Sequence, residues 1–176
     1  MRLTAAIDNL KHEIEKENIN PANGIGEELF LLVASLTPIV NVDLLIVQNG
    51  KVLMAWRDDD QCGQGWHIPG GCVRISETME KRIHECARLE LGSDVTCSMM
   101  PVKITESIRH KVKYGRMHFI SFLYNCTLLD EERLVNLDGK EIEGHLGWFS
   151  CIPNNFLGIQ EFYRECINEY LIRKEG

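Results

Sequence analysis

Long apolar runs are missing from this sequence: the longest, Leu29 to Ala34 and Leu44 to Val47, fall far short of the ~20 residues that a bilayer crossing needs. The first eighteen residues, MRLTAAIDNLKHEIEKEN, carry a charge every few positions and lack the apolar centre of a secretory signal. No membrane partner is expected, and the chain reads as cytoplasmic. Cysteine pairing motifs are missing too. Seven cysteines (Cys62, Cys72, Cys86, Cys97, Cys126, Cys151, Cys166) are odd in number, scattered, and nowhere spaced as C-x-x-C, which argues against a disulfide framework and against a structural zinc site. Reduced thiols that fill core space fit better. Positive charge is in deficit. Nineteen Lys and Arg against 26 Asp and Glu leave a net charge of −7, the wrong balance for a protein that holds nucleic acid through its phosphates. What is present is ordinary: 44% hydrophobic and 26% charged residues in a chain of 176, a composition that excludes disordered and fibrous classes and suits one domain.

The hydrophobic pattern changes period along the chain. In residues 3 to 17, Leu3, Ile7, Leu10 and Ile14 alternate steps of four and three, which predicts an amphipathic helix. Its stripe serves either packing on the chain's own domain or a contact between two copies, a homodimer. Breakers from Asn20-Pro21 to Gly26 precede a second short helix over 27 to 35. From Pro38 onward strands dominate. The run Ile39 to Val47 ends at Gln48-Asn49-Gly50 and returns over Lys51 to Arg57, and Asn-Gly between two apolar runs is a hairpin signal. Asp58 to Gly65 reads as a polar loop, followed by Trp66 to Val73 with its Pro69-Gly70-Gly71 turn. A helix is expected over Ser76 to Leu91, stopped by Gly92. Strands follow near Val95 to Met100, Val102 to His110 and Arg116 to Cys126, then an acidic loop over Thr127 to Gly147, a short strand at Trp148-Phe149 and a final helix over about Ile159 to Arg173. The order predicts an α+β fold, a central mixed sheet flanked by helices, with residues 1–36 as a helical extension and 37–176 as the domain.

Two strands carry polar side chains where a core is expected. Alternation puts Asn41 and Asp43 on one face of Ile39 to Val47, opposite Val42, Leu44 and Ile46. They form either a satisfied polar pair under a helix end or the floor of a cleft. In Arg116 to Cys126 both faces are largely apolar, so this strand is central, and His118 near its start is a hydrogen-bonded core residue more readily than a catalyst. Arg57 ends the hairpin before Asp58-Asp59-Asp60. It suits bidentate contact with a phosphate, and equally suits pairing with one of those acids. Arg74 and Arg82 offer further cations.

The segment Gly70 to Gly92, GGCVRISETMEKRIHECARLELG, is the most informative. Stepped at roughly 100° per residue from Met79, Ile83 falls near 40°, Cys86 near 340° and Ala87 near 80°. Lys81, Glu85 and Arg88 fall at about 200°, 240° and 180°, facing water. Glu90 falls at about 20°, within the apolar stripe. A carboxylate there must be protonated, paired with a cation or bound to a metal. The adjacent Gly-Gly turn brings bare backbone groups to the same place, an arrangement that a magnesium–phosphate ligand can use.

This stretch resembles the Nudix box, G-x5-E-x7-R-E-U-x-E-E-x-G-U, where U is aliphatic. Gly71 and Glu77 match its first Gly and Glu, and Glu90 and Gly92 its last Glu and Gly. Glu85 stands at the Arg position, Cys86 and Leu89 at two Glu positions and Ser93 at the final aliphatic. A box that keeps only the last Glu of the cluster is similar to that of the GDP-mannose mannosyl hydrolases, which cleave a sugar C–O bond with one Mg²⁺. The likeness extends in order through Asn41 to Ile46, Trp56-Arg57, the W-x-I-P-G-G segment, Arg109-His110, Met117 to Ser121 and Trp148-Phe149, about residues 36 to 150. It implies a Nudix fold and a Mg²⁺-dependent hydrolase (with Mn²⁺ as a substitute) of a nucleoside-diphosphate sugar such as GDP-mannose. Its implied metal ligands are Glu90 and the Gly71 carbonyl. Arg57 then contacts a phosphate, and Asn41, Asp43 and His110 the sugar or nucleoside. Counting back from Trp148 sets Glu143 at the place of a family His, as base or further metal ligand, with Glu141 and His145 as neighbours. The alternatives are a Nudix-fold binding or regulatory module that has lost turnover, and a general nucleotide pyrophosphohydrolase.

Overall fold

A computed structural model describes residues 2–109 and 118–173. The Asn-Gly turn forms as its residue types require, with Asn49 at φ 51° and Gly50 at φ 68°. It joins β1 (Ile39–Gln48) to β2 (Lys51–Asp59), with Val47 opposite Val52. The two strands then take different partners. β2 pairs with β3 (Gly63–His67) and later with β8 (Leu146–Phe149). β1 pairs antiparallel with β4 (Gly70–Cys72) and parallel with β7 (His118–Leu128), and β5 (Val95–Cys97) and β6 (Lys103–Ile108) line the far edge of β7. The result is one eight-stranded mixed sheet.

Each face of the sheet has its own core, as the alternation in β1 predicts. Val42, Leu44 and Ile46 pack with Tyr124 of β7 under Ile83 and Cys86 of α3 (Met79–Cys86). On the other side Leu45, Met54, Trp56, Trp66 and Leu123 pack against Tyr163 and Ile167, the latter on α4 (Arg164–Ile172). The α+β class with a sheet between helices is therefore as expected. Three buried cysteines, Cys86, Cys126 and Cys166, are free thiols. Among the described residues no helix is long and apolar enough to cross a membrane.

Several boundaries differ from the sequence reading. β2 and β3 extend through most of the polar 58–65 stretch, because its alternate residues still pair across a tight turn. The box helix starts at Met79, where the Thr78 side chain accepts from the Lys81 amide at 3.1 Å. It ends as a π turn over Ala87–Leu91, closed by Gly92 at φ 75°. The last helix opens with a 3₁₀ segment, Gly158–Tyr163. The first helix, α1 (Leu3–Lys16), buries no residue, and α2 (Glu27–Ala34) buries only Ala34. The apolar stripe of α1 is thus left on the surface, with Leu3 76% exposed.

Arg82 is not a phosphate ligand in waiting. Its Nε and Nη2 donate to Glu77 at 2.7 and 2.9 Å, and Glu77 also accepts from the Arg74 amide at 3.0 Å. Both side chains are only 4% exposed. Glu85, at the Arg position of the box, instead accepts from Arg88 at 3.0 Å on the surface. The pair Glu77–Arg82 pins the loop before α3, and breaking a buried pair strands a charge. Arg82→Ala is expected to lower unfolding free energy by about 3 kcal/mol, and the Glu77→Gln, Arg82→Ala double variant by less than the sum of the single losses. Urea unfolding of the four proteins checks this, and strict additivity contradicts it.

Candidate functional site

The site starts from how closely β4 lies against β1. Asn41 faces Cys72, Val42 faces Gly71 and Asp43 faces Gly70. A β-carbon on Gly70 would lie 2.4 Å from the Val42 carbonyl oxygen and 2.5 Å from Asp43 Oδ1, and one on Gly71 would lie 2.8 Å from Cys86 Sγ. Leu44 N donates to Pro69 O and Val73 N to Val40 O, both at 2.8 Å. Antiparallel alternation then makes Val42 and Gly71 the pair whose backbone groups face each other, and turns those of Gly70 outward. The Gly70 N–H accordingly points to Glu90 Oε2, at 3.3 Å.

The π turn decides where Glu90 goes. Continued α geometry would set it in the apolar stripe. The wider turn instead brings Leu91 into the core beside Ala87 and leaves Glu90 half-buried at its edge, against the glycine pair. Withdrawal from water pushes the Glu90 carboxyl up to about 7, against the pull of the Arg57 guanidinium. Asp43 is in the same position. It is 4% exposed, accepts from the Tyr163 hydroxyl at 2.7 Å, and is raised by burial to about 7 although Tyr163, Arg57 and Ser121 all act to lower it. One guanidinium serves both carboxylates, and Arg57 also stands 3.7 Å from Asp59 Oδ2. The pairing foreseen between Arg57 and one of the local acids is thus present, with Asp59 as the partner.

Glu143 reaches the same neighbourhood from an exposed loop. Backbone bonds from Trp56 N to His145 O (2.8 Å) and from Gly144 N to Trp56 O (3.0 Å) fasten this loop to β2. The Glu143 carboxylate accepts from the Asp58 amide, and its charge adds to the upward pressure on Glu90. Its neighbours are occupied elsewhere: Glu141 accepts from Asn155 at 2.7 Å and His145 Nδ1 lies 2.8 Å from Asp138 Oδ1. His118 pairs with Glu106 at 2.9 Å, and Arg74 stands against Gly24 of the amino-terminal loop. His110 lies outside the described residues.

Beside these groups is a cavity of about 250 Å³. Asn41, Asp43 and Ser121 line its floor, Arg57 and the glycine pair one side, and Ile159, Gln160 and Phe162 another. Asn41 Oδ1 is buried there without a hydrogen-bond partner. The carboxy-terminal wall was not foreseen from the sequence. Gln160 accepts from Ile68 N at 2.7 Å and donates to Ile68 O at 3.2 Å, which ties that wall to the strand connection before Gly70. His67 was also missed. It is buried, its Nδ1 lies 2.9 Å from the Ile68 carbonyl, which can only accept, and burial beside Arg57 drives it down to about 3, so it stays neutral. No local pattern marks these residues; only the packing of distant segments brings them to the cavity.

No family model matches the chain. Among curated proteins it is 34% identical over 76 residues to the low-salt glycan biosynthesis protein Agl8 of Haloferax volcanii, a match over 43% of this chain and 49% of that protein. The chain thus matches about half the length of that relative. Among solved structures, the MutT NUDIX hydrolase from Burkholderia pseudomallei superposes with TM-score 0.59 at 22% identity, covering 73% of this chain and 97% of that one. The fold is the Nudix fold. A UDP-X diphosphatase superposes with TM-score 0.56 at 17% identity over 95% of this chain and 77% of its own.

Nudix hydrolases generally use a divalent metal such as Mg²⁺. Among the described residues of this Nudix-fold chain, no group of three or more His, Cys, Asp or Glu is placed to hold one. Glu90, with a single long N–H contact, and Asp43 are incompletely compensated carboxylates. That donor set fits an ion bound through one or two carboxylates, which completes its shell with water and substrate phosphate, and does not fit a closed protein cage.

The raised carboxyls have a consequence for the metal-free protein. Folded Asp43 and Glu90 keep protons that the unfolded chain releases above the ordinary carboxylate range. The native state therefore binds more protons up to about pH 7, and stability falls as pH rises through that window. Glu90→Gln and Asp43→Asn are each expected to flatten the decline between about pH 5 and about pH 8, by on the order of 1–3 kcal/mol. Urea unfolding at the two pH values measures it; slopes equal to wild type contradict it.

Proposed function

We propose that this chain is a Nudix-type hydrolase of a nucleoside-diphosphate sugar, GDP-mannose being the first candidate. The observation that carries the reading is the placing of two incompletely compensated carboxylates and one guanidinium at a glycine turn beside a polar-floored cavity. The likeness to a glycan biosynthesis protein and to a UDP-X diphosphatase supports a nucleotide-sugar substrate.

Glu90, Glu143 and the Gly71 carbonyl, through the lone pair not turned to Val42, would hold Mg²⁺, or Mn²⁺ in its place. When bound, the ion neutralises phosphate oxygens and makes water more acidic. The chain's own groups do the rest. Arg57 binds a phosphate and meets the charge that develops as the leaving group departs. Glu143, exposed to solvent and held by the Asp58 amide, accepts the proton of the attacking water as general base. Asp43 and Asn41 accept from hydroxyls or base edges of the substrate, and the unpartnered Asn41 Oδ1 gains an N–H or O–H there. His110 contacts the same portion of the ligand. Residues 37–176 supply this machinery, and residues 1–36 form an extension whose exposed α1 stripe joins two copies as a homodimer.

A second reading, a binding or regulatory module, is favoured by two box positions. Cys86 is buried against Gly71 and Leu89 is 69% exposed, so neither place supplies the carboxylate that the box calls for. A panel of nucleotide sugars and nucleotides with Mg²⁺ separates the readings. Free sugar plus nucleoside diphosphate indicates C–O cleavage, and sugar phosphate plus nucleoside monophosphate indicates pyrophosphate cleavage. A cleaved plain nucleotide makes it a general pyrophosphohydrolase, and no product with retained binding makes it a module. With turnover established, Glu90→Gln is expected to abolish it without loss of fold, and Glu143→Gln to lower kcat about a hundredfold. Full activity in Glu90→Gln removes the metal assignment, and full activity in Glu143→Gln removes the base.

A further inference from the structure

Arg57 is not the only guanidinium on the cavity. Arg109, just beyond β6, also lines it. The two cations differ in what already compensates them. Arg57 lies 3.7 Å from Asp59 and feels the charges of Asp43 and Glu90. Arg109 donates Nη1 to the Gln61 carbonyl at 2.7 Å, and among the described residues no carboxylate pairs with it. A guanidinium has five N–H donors, so among the described residues most of the hydrogen-bonding capacity of Arg109, and its charge, are open to a ligand.

The same turn holds both groups. Asp59 Oδ1 accepts from the amides of Gln61 and Cys62 at 2.8 and 2.6 Å, while Asp59 Oδ2 faces Arg57. Gln61 then offers its carbonyl to Arg109. Two guanidiniums held against one small, internally bonded turn are preorganised for two neighbouring anionic groups. In a chain of net charge −7, such local cations are needed for a polyanion to approach at all.

We propose that Arg109 is a further substrate-binding residue, which takes one phosphoryl group of a diphosphate whose other phosphoryl sits on Arg57. The proposal rests on the nucleotide-sugar reading and names the cation that makes the site select diphosphates over monophosphates. It is tested by calorimetric titration of wild type and Arg109→Gln with inorganic pyrophosphate, with GDP, UDP and ADP, and with the matching monophosphates and nucleosides. Gln removes the charge, and an unchanged melting temperature checks that the turn is retained. The expected result is diphosphate binding weakened about tenfold or more and nucleoside binding changed less than about twofold. Arg109→Lys is expected to recover part of the diphosphate affinity, because it restores the charge without the fork. Equal loss for nucleosides and diphosphates shows a merely structural role and overturns the proposal, as does unchanged diphosphate affinity in Arg109→Gln. If wild type binds no diphosphate at all, the nucleotide-sugar reading falls with it. If wild type hydrolyses nucleotide sugars while Arg109→Gln matches it in kcat and KM, only the Arg109 assignment falls.

Discussion

At Gly70 the backbone of β4 runs so near β1 that a β-carbon would lie 2.4 Å from the Val42 carbonyl oxygen and 2.5 Å from Asp43 Oδ1. Only glycine permits that approach. Because β4 sits there, the Gly70 amide turns toward Glu90 and the Asp43 side chain is enclosed from above. Cavity, carboxylates and turn all take their places from this contact. Gly71, packed on Cys86, transmits it to α3.

The price of that enclosure is electrostatic. Asp43 and Glu90 are both taken out of water, with Glu143 near enough to add its charge to Glu90, and among the described residues Arg57 is the cation that acts on both. Such a set is short of positive charge. It is met in part by protons, as the raised carboxyls indicate, and a divalent ion or a second cationic group relieves the same shortage. A buried carboxylate left this way lowers stability in the metal-free protein and raises affinity for whatever cation enters. The neutral His67 and the Tyr163 hydroxyl show the other half of the arrangement, since both line the region without adding charge.

Much of the framework was legible in residue patterns. The period-two alternation in Ile39 to Val47 separates Asn41 and Asp43 from the core side chains, and the Asn-Gly pair marks the hairpin because both residues accept a left-handed backbone. Gly92 marks the end of the box helix for the same reason. Glu90 was singled out by angle, yet its true surroundings depend on a π turn that no periodicity reveals. Arg82 read as a spare cation because nothing local announces its pairing with Glu77, although the two are only five positions apart. Arg57 offered two uses in sequence, and the structure shows the one beside Asp59.

Local order, then, was written in the chain itself: strands, hairpin, box helix and the polar face of β1 follow from side-chain size, branching and backbone freedom over a few residues. The site's closure was not. Tyr163 meets Asp43 across 120 positions, and Gln160 meets Ile68 across 92. Contacts of that range are selected by how whole layers pack, and so are the burial and charge sharing that set the protonation of Asp43 and Glu90. Residue identity supplies the carboxylates, and only the assembled sheet, helix and carboxy-terminal wall decide how much water and how much positive charge each one keeps.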